Sequence, residues 1–284
     1  MIDRVAVPTS IIGFDSAWTD SPKAPGAICV IRISTDGRRT LVPPTLVSFD
    51  AALTIIAAEE AFSTLRIVAL DQPTIVPNLT SLRPVDRVAA SLISWLGGGV
   101  QPANRSKIGM FDDSAPVWRF KARLGATEDP EAARGALEGL FLMEVFPALA
   151  LPSLDPLFYG RLLGPRYNPA RRKTFTIGGW QSVIAAVRCI AVAEQVIGLT
   201  AWADNVSTIA TPRKADQDRL DAVLCALIGL HWHTAPRMTS IMIGDRTAGY
   251  MIAPASADVR VRLEVAAERS GVPIDVDLEQ TAPE

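Results

Sequence analysis

Five acidic residues stand where a carboxylate can do chemistry. Asp15 closes the apolar run Ile11-Ile12-Gly13-Phe14, and Asp71 closes Ile67-Val68-Ala69-Leu70. Glu144 lies inside a third apolar run, Leu142 to Pro147, where an unpaired charge is costly. Asp218 and Asp221 stand three residues apart in a helical pattern and share one face. Gathered together, such groups suit Mg2+ or Mn2+, hard cations that take oxygen ligands. Two such ions about 4 Å apart activate a water and stabilise the leaving oxygen in phosphodiester cleavage. Without metal, the same carboxylates repel and raise one another's pKa.

Each acid also has a plainer reading. Asp71 alone suits a helix or turn cap, and Asp15 before Ser16-Ala17-Trp18 suits the start of a turn. Asp218 fits a first-turn acid favoured by the helix dipole. Glu144 fits a core ion pair with an arginine. Convergence of the acids separates the two readings.

The elements that must position them read as β, β, β, α, β. Strands are expected at Ile11 to Asp15, Gly26 to Ile33, Leu41 to Phe49 and Arg66 to Leu70. The helical pattern from Ala51 to Leu65 has Asp50 as its N-cap, with Glu59 and Glu60 outward. Arg83 to Trp95 reads as a helix stopped by Gly97-Gly98-Gly99, Gln101 to Arg123 as a loop, and Pro130 to Gly139 as helix. A fifth strand is expected at Leu142 to Pro147, and long helices at Gly179 to Gly198 and Asp216 to Trp232. On the last of these, Ala222, Cys225 and Gly229 continue the face of Asp218 and Asp221, so the helix can lie close on a sheet. Thr239 to Ile243 and Tyr250 to Ile252 form a closing hairpin, before a mixed, charged tail with a small helix.

Composition narrows the classes. The 284 residues hold 28 Lys+Arg against 30 Asp+Glu, a net charge of −2, with 49% hydrophobic residues. That excludes disorder and argues against extensive phosphate binding. Three scattered cysteines without a C-x-x-C exclude a zinc ribbon or redox pair. The opening Met1 to Arg4 lacks the order of a signal peptide, and the apolar stretch Ser182 to Trp202 is broken by Arg188 and Glu194. A cytoplasmic protein with no membrane contact is expected.

The local strings resemble a family catalogued as domain of unknown function 429, whose members are described as ribonuclease H-like nucleases. Gly13-Phe14-Asp15-Ser16-Ala17 resembles its opening "G-x-D-x-A/C", and Val68-Ala69-Leu70-Asp71-Gln72-Pro73 its "v-a-i-D-x-P" strand. Arg83 to Arg87, Met143 to Pro147, Asp218 to Ala222 and Gly249 to Pro254 are similar to its "R-x-x-D/E-R", "x-E-v-x-P", "D-x-x-D-A" and "G-x-I-x-x-P" segments. Phe146 stands where the family often has His, no second acid follows Pro147, and Gln217 stands where the family often has an acid.

The resemblance implies a ribonuclease H-like α/β fold, a mixed sheet flanked by helices. One domain over 1–254 would carry a helical insertion at about 83–140 between strands four and five, and 255–284 would be a tail. It implies Asp15, Asp71, Glu144, Asp218 and Asp221 as the catalytic set and Asp15, Asp71, Asp218 and Asp221 as metal ligands, with Asp15 bridging two ions. Arg83 and Arg87, a turn apart, can face the carboxylates and orient a phosphate, or merely neutralise the acids. Arg171, Arg172 and Lys173, near Arg161 and Arg166, can track a phosphate backbone while Tyr167 stacks a base, or form a plain solvated loop. The expected activity is an Mg2+- or Mn2+-dependent nuclease acting on a nucleic acid or nucleotide of small footprint. The rivals are a binding scaffold that keeps the fold and an actin-like or sugar-kinase-type phosphotransferase. His231 and His233 point apart on a helix and read as structural.

Overall fold

Alternation along the central strands builds a separate core on each face of one sheet. The structure is a computed structural model and describes residues 7–276. Strand β1 (Thr9–Asp15) pairs antiparallel with β2 (Gly26–Ile33), and β2 antiparallel with β3 (Arg39–Val47). On its other side β1 runs parallel to β4 (Leu65–Leu70), and β4 parallel to β5 (Gly139–Glu144). The short β6 (Val196–Ile197) adds to β3, giving a mixed six-stranded sheet in the order β5-β4-β1-β2-β3-β6.

Ile12, Phe14, Val30, Val68, Leu70 and Leu142 fill one face, against α1 (Phe49–Ala58) and α3 (Pro116–Leu124). Phe14, Phe49 and Phe120 pack there with ring centroids 4.9–5.6 Å apart. Ile11, Cys29, Ile31, Ala69 and Met143 fill the other face. It is covered by α8 (Lys214–Thr234), with α2 (Pro84–Trp95), α5 (Pro147–Leu154), α6 (Ile177–Ala193), α7 (Leu199–Ser207) and α9 (Ala257–Ser270) around it. The short α4 (Pro130–Gly135) precedes β5. A hairpin of β7 (Ser240–Asp245) and β8 (Gly249–Pro254) forms a second sheet, tied to the end of β5 through a Val145–Ile252 bridge. No described helix is long and apolar enough to cross a membrane.

Several expectations shift. Ser48, not Asp50, caps α1, its hydroxyl accepting from Ala51 N at 3.3 Å. Glu59 is not outward: the chain leaves the α-helix at Ala58, and the carboxylate is buried against Arg32 and the Ser10 hydroxyl. The loop expected over 101–123 ends in α3, where Pro116 at the first position and Val117, Phe120 and Leu124 at helical spacing face the core. Strand β5 starts earlier than expected and ends at Glu144, and α5, α7 and β6 were not foreseen. The helix in the expected tail buries Val259, Leu263 and Ala267 and packs on α2. The opening Met1 to Arg4 lies outside the described residues.

Candidate active site

Asp15 and Asp71 are brought together by parallel pairing. Phe14 stands opposite Leu70, and Asp71 N–H donates to the Phe14 carbonyl at 2.8 Å. Phe14 and Leu70 point to the α1–α3 face, so the acids that follow them turn to the α8 face. Helix α8 reaches that face because bulk is missing on both sides. A Cβ on Gly13 would stand 2.1 Å from the Ala222 carbonyl oxygen, and one on Gly229 would stand 2.8 Å from Ile11 Cγ2. Gly229 thus lies over Ile11 and Ala222 over Gly13, so the helix runs antiparallel to β1. That direction carries Asp218 and Asp221 to the Asp15 end.

The three nearest acids are treated differently by their neighbours. Asp221 is buried and held: Tyr167 Oη donates to its Oδ1 at 2.8 Å, and Gln217 Nε2 donates to its Oδ2. Asp218 is buried and takes the Lys214 ammonium, one helical turn away. Asp15 is buried with its Oδ2 lacking any hydrogen-bond partner among the described residues. Burial, then Asp221 and Asp71, hold the Asp15 carboxyl well above the usual range. Burial and then Asp221 do the same to Asp71. Burial pushes Asp221 up to about 6, against the opposing pull of Lys214, Tyr167 and Gln217. Burial and Asp221 also push the Tyr167 phenol up, so it remains the hydrogen-bond donor.

Glu144 is near enough to Asp71 to raise the pKa of its carboxyl, but it is engaged elsewhere. It lies in one lateral row with Phe14 and Leu70, and so projects to the opposite side of the sheet from Asp15 and Asp71. Both of its oxygens are taken by Arg83, at 2.6 and 2.9 Å, and Thr74 N–H donates to one of them at 2.8 Å. Arg83 also binds Asp86 and the Ile75 carbonyl and is fully buried. Of the two readings of Glu144, catalytic acid or core ion pair with an arginine, the ion pair is the one observed, and Arg83 neutralises acids here. The pair is a core salt bridge that fixes the 71–83 segment. Arg87 lies on the exposed side of α2, away from the acids.

A cavity of about 190 Å3 opens beside the acids, lined among others by Asp71, Asp221, Tyr167, Asn168 and Arg171. Of the basic run expected to bind substrate, Arg171 borders this cavity, while Arg172 and Lys173 are exposed outside it. Tyr167 borders the cavity with its ring largely buried and its hydroxyl committed to Asp221. His231 meets Thr239 near the far end of α8, ten residues and about 15 Å along the helix from Asp221. Lys214, Gln217 and the Tyr167 contact escaped the sequence reading. The spacing of Lys214 four residues before Asp218, and of Gln217 four before Asp221, carried the signal.

The donors are all oxygen, which suits a hard divalent cation. Among the described residues, no group of three or more His, Cys, Asp or Glu side chains is placed to hold a metal ion. Mg2+ asks less, taking one or two carboxylates and completing its shell with water and substrate phosphate. Asp15, with its unpartnered oxygen, and Asp71 beside it meet that requirement. No family model, curated protein or solved structure matches the chain.

Proposed function

We propose that the chain is an Mg2+- or Mn2+-dependent phosphodiester hydrolase, a nuclease, on a ribonuclease H-like fold. The strand succession, with acids ending β1, following β4 and lying on a late helix, supports that fold. The activity rests on one observation: Asp15, Asp71 and Asp221 are drawn together although burial and mutual repulsion oppose it. A sheet domain without chemistry to perform has no use for such an arrangement.

Asp15 and Asp71 would hold the ion, with Asp221 and Asp218 completing the acidic wall. Bound there, a divalent cation supplies Lewis-acid polarisation of the phosphoryl oxygen and a more acidic water. Asp221, with its pKa brought near neutrality, is matched to accept the proton of the attacking water. Tyr167 and Gln217 fix the orientation of that carboxylate. Arg171 faces the same cavity and offsets phosphate charge. One P–O bond forms to the water oxygen, one P–O bond to the leaving oxygen breaks, and the water proton ends on the leaving group.

Hydrolysis of bis(p-nitrophenyl) phosphate with Mn2+ tests the reading. Wild type should show metal-dependent turnover that Asp221→Asn lowers by about 10²–10⁴-fold. Equal rates in the two proteins, or no turnover by either, would contradict it.

A further inference from the structure

Two chambers meet at the acids. The first is the cavity of about 190 Å3 described above; the second is about 160 Å3. Both are bordered by Asp71, Gly99, Phe146 and Arg171, so these residues form the junction between them. Each chamber is smaller than the roughly 300–1,000 Å3 of a site for a drug-sized ligand. Each therefore admits one nucleoside-sized group, and neither admits a duplex.

The chambers differ in chemistry. The first carries Tyr167, Asn168, Thr174 and Gln217 beside the apolar Phe146, Pro147 and Pro165. The second carries Trp18, Pro73, Val100, Val145 and Met251 beside Gln72 and Gln101. Glu144 and Asp86 also border the second, their charges taken up by Arg83. That lining disfavours a phosphate and favours a planar, weakly polar group. Trp18 is set for such a group. Its Nε1 donates to the Asp71 carbonyl at 3.3 Å, and Phe111, itself fully buried, meets the indole with centroids 5.1 Å apart at 61°. The ring is thus held by its N–H and by an edge-type contact while remaining half-buried. At the junction the Arg171 guanidinium has no hydrogen-bond or ion-pair partner among the described residues, whereas Arg166 nearby is bound to the Gly97 carbonyl. A free cation thus stands where the two chambers join.

We propose that the substrate is a dinucleotide-sized phosphodiester: one base lies on Trp18, the linking phosphate lies at Arg171 and the acids, and the second nucleoside fills the first chamber. This rests on the hydrolase reading above. The reaction is the same water attack, giving one nucleotide with a terminal phosphate and one nucleoside hydroxyl.

The test uses the full chain with Mn2+ and two substrates, the dinucleotide thymidylyl-thymidine and a circular single-stranded DNA, which has no ends. The dinucleotide should be hydrolysed and the circle left intact. Trp18→Ala should raise KM for the dinucleotide about tenfold with a smaller change in kcat, and Trp18→Phe should restore most of the loss. Arg171→Ala, at an exposed position that leaves folding alone, should raise the same KM. Cleavage of the circle at a rate equal to that of the dinucleotide, with no dependence on Trp18, overturns the substrate assignment and leaves the hydrolase reading standing. Dinucleotide binding that depends on Trp18 in calorimetry, with no hydrolysis of any substrate, overturns the hydrolase reading and keeps the ligand class. Neither binding nor hydrolysis overturns both.

Discussion

Asp15→Asn should make the metal-free protein more stable at pH 7.5. The Asp15 carboxylate is buried, one oxygen lacks a partner, and Asp221 and Asp71 repel it. A buried polar group left unsatisfied costs about 1–3 kcal/mol, and a charged one no less. Asparagine keeps the shape, removes the charge and can donate to the neighbouring carboxylates. For a chain of 284 residues, an unfolding entropy of about 2.1 cal/mol/K per residue converts about 1–3 kcal/mol into a Tm gain of about 2–5 °C. The gain depends on pH in a fixed direction. An acid whose folded pKa is raised destabilises when ionised, so the penalty is present above the folded pKa and fades as pH falls through it. Asp221 takes up its proton at about 6, and Asp15 and Asp71 are shifted the same way. The gain should therefore shrink by pH 5. Calorimetric Tm values for both proteins at the two pH values, in a chelator, give the readout. A lower Tm for Asp15→Asn at pH 7.5, or a gain of equal size at pH 5, would refute the reasoning.

Other perturbations separate structure from chemistry. Glu144→Gln weakens the hydrogen bonds to buried Arg83, which keeps Asp86 as its counter-charge, and should cost about 1–3 kcal/mol by denaturant titration. Gly13→Val should unseat α8 from β1, lowering Tm and abolishing Mn2+ binding together, since its side chain would occupy the Ala222 and Ala226 backbone. Lys214→Met removes the cation that offsets Asp15, Asp218 and Asp221. It should lower the Tm of the metal-free protein at pH 7.5 and tighten Mn2+ binding, the competing ammonium being gone. Tyr167→Phe removes a hydrogen bond that holds the Asp221 pKa down, so protons should compete with Mn2+ to a higher pH than in wild type, as titrations at pH 6 and 7.5 would show.

The central sheet was legible because its strands are short apolar runs with clear punctuation, and because Asp15 and Asp71 end two of them. The seating of α8 was legible too: its small face of Ala222, Cys225 and Gly229 announces a close approach. Glu144 stayed open between two readings because an acid in an apolar run looks alike whether it faces solvent chemistry or a buried guanidinium. Only the lateral row shared with Phe14 and Leu70 decides between the two. Arg83 stayed open for the same reason, since its sequence spacing to Arg87 carries no information on burial. The irregular 97–123 segment hid α3, and β6 is two residues long, too short for any period to show. The Tyr167 contact with Asp221 was not legible because a loop aromatic has no pattern that says whether its ring or its hydroxyl is used.

Calorimetric titration of the metal-free chain with Mn2+, comparing wild type with Asp15→Asn, tests the carboxylate site most directly. The arrangement of Asp15, Asp71 and Asp221 predicts saturable binding by wild type that is lost in the variant. Binding that is equal in the two proteins, or no binding by wild type even with a non-hydrolysable oligonucleotide present, would contradict the account and return the fold to the role of a scaffold.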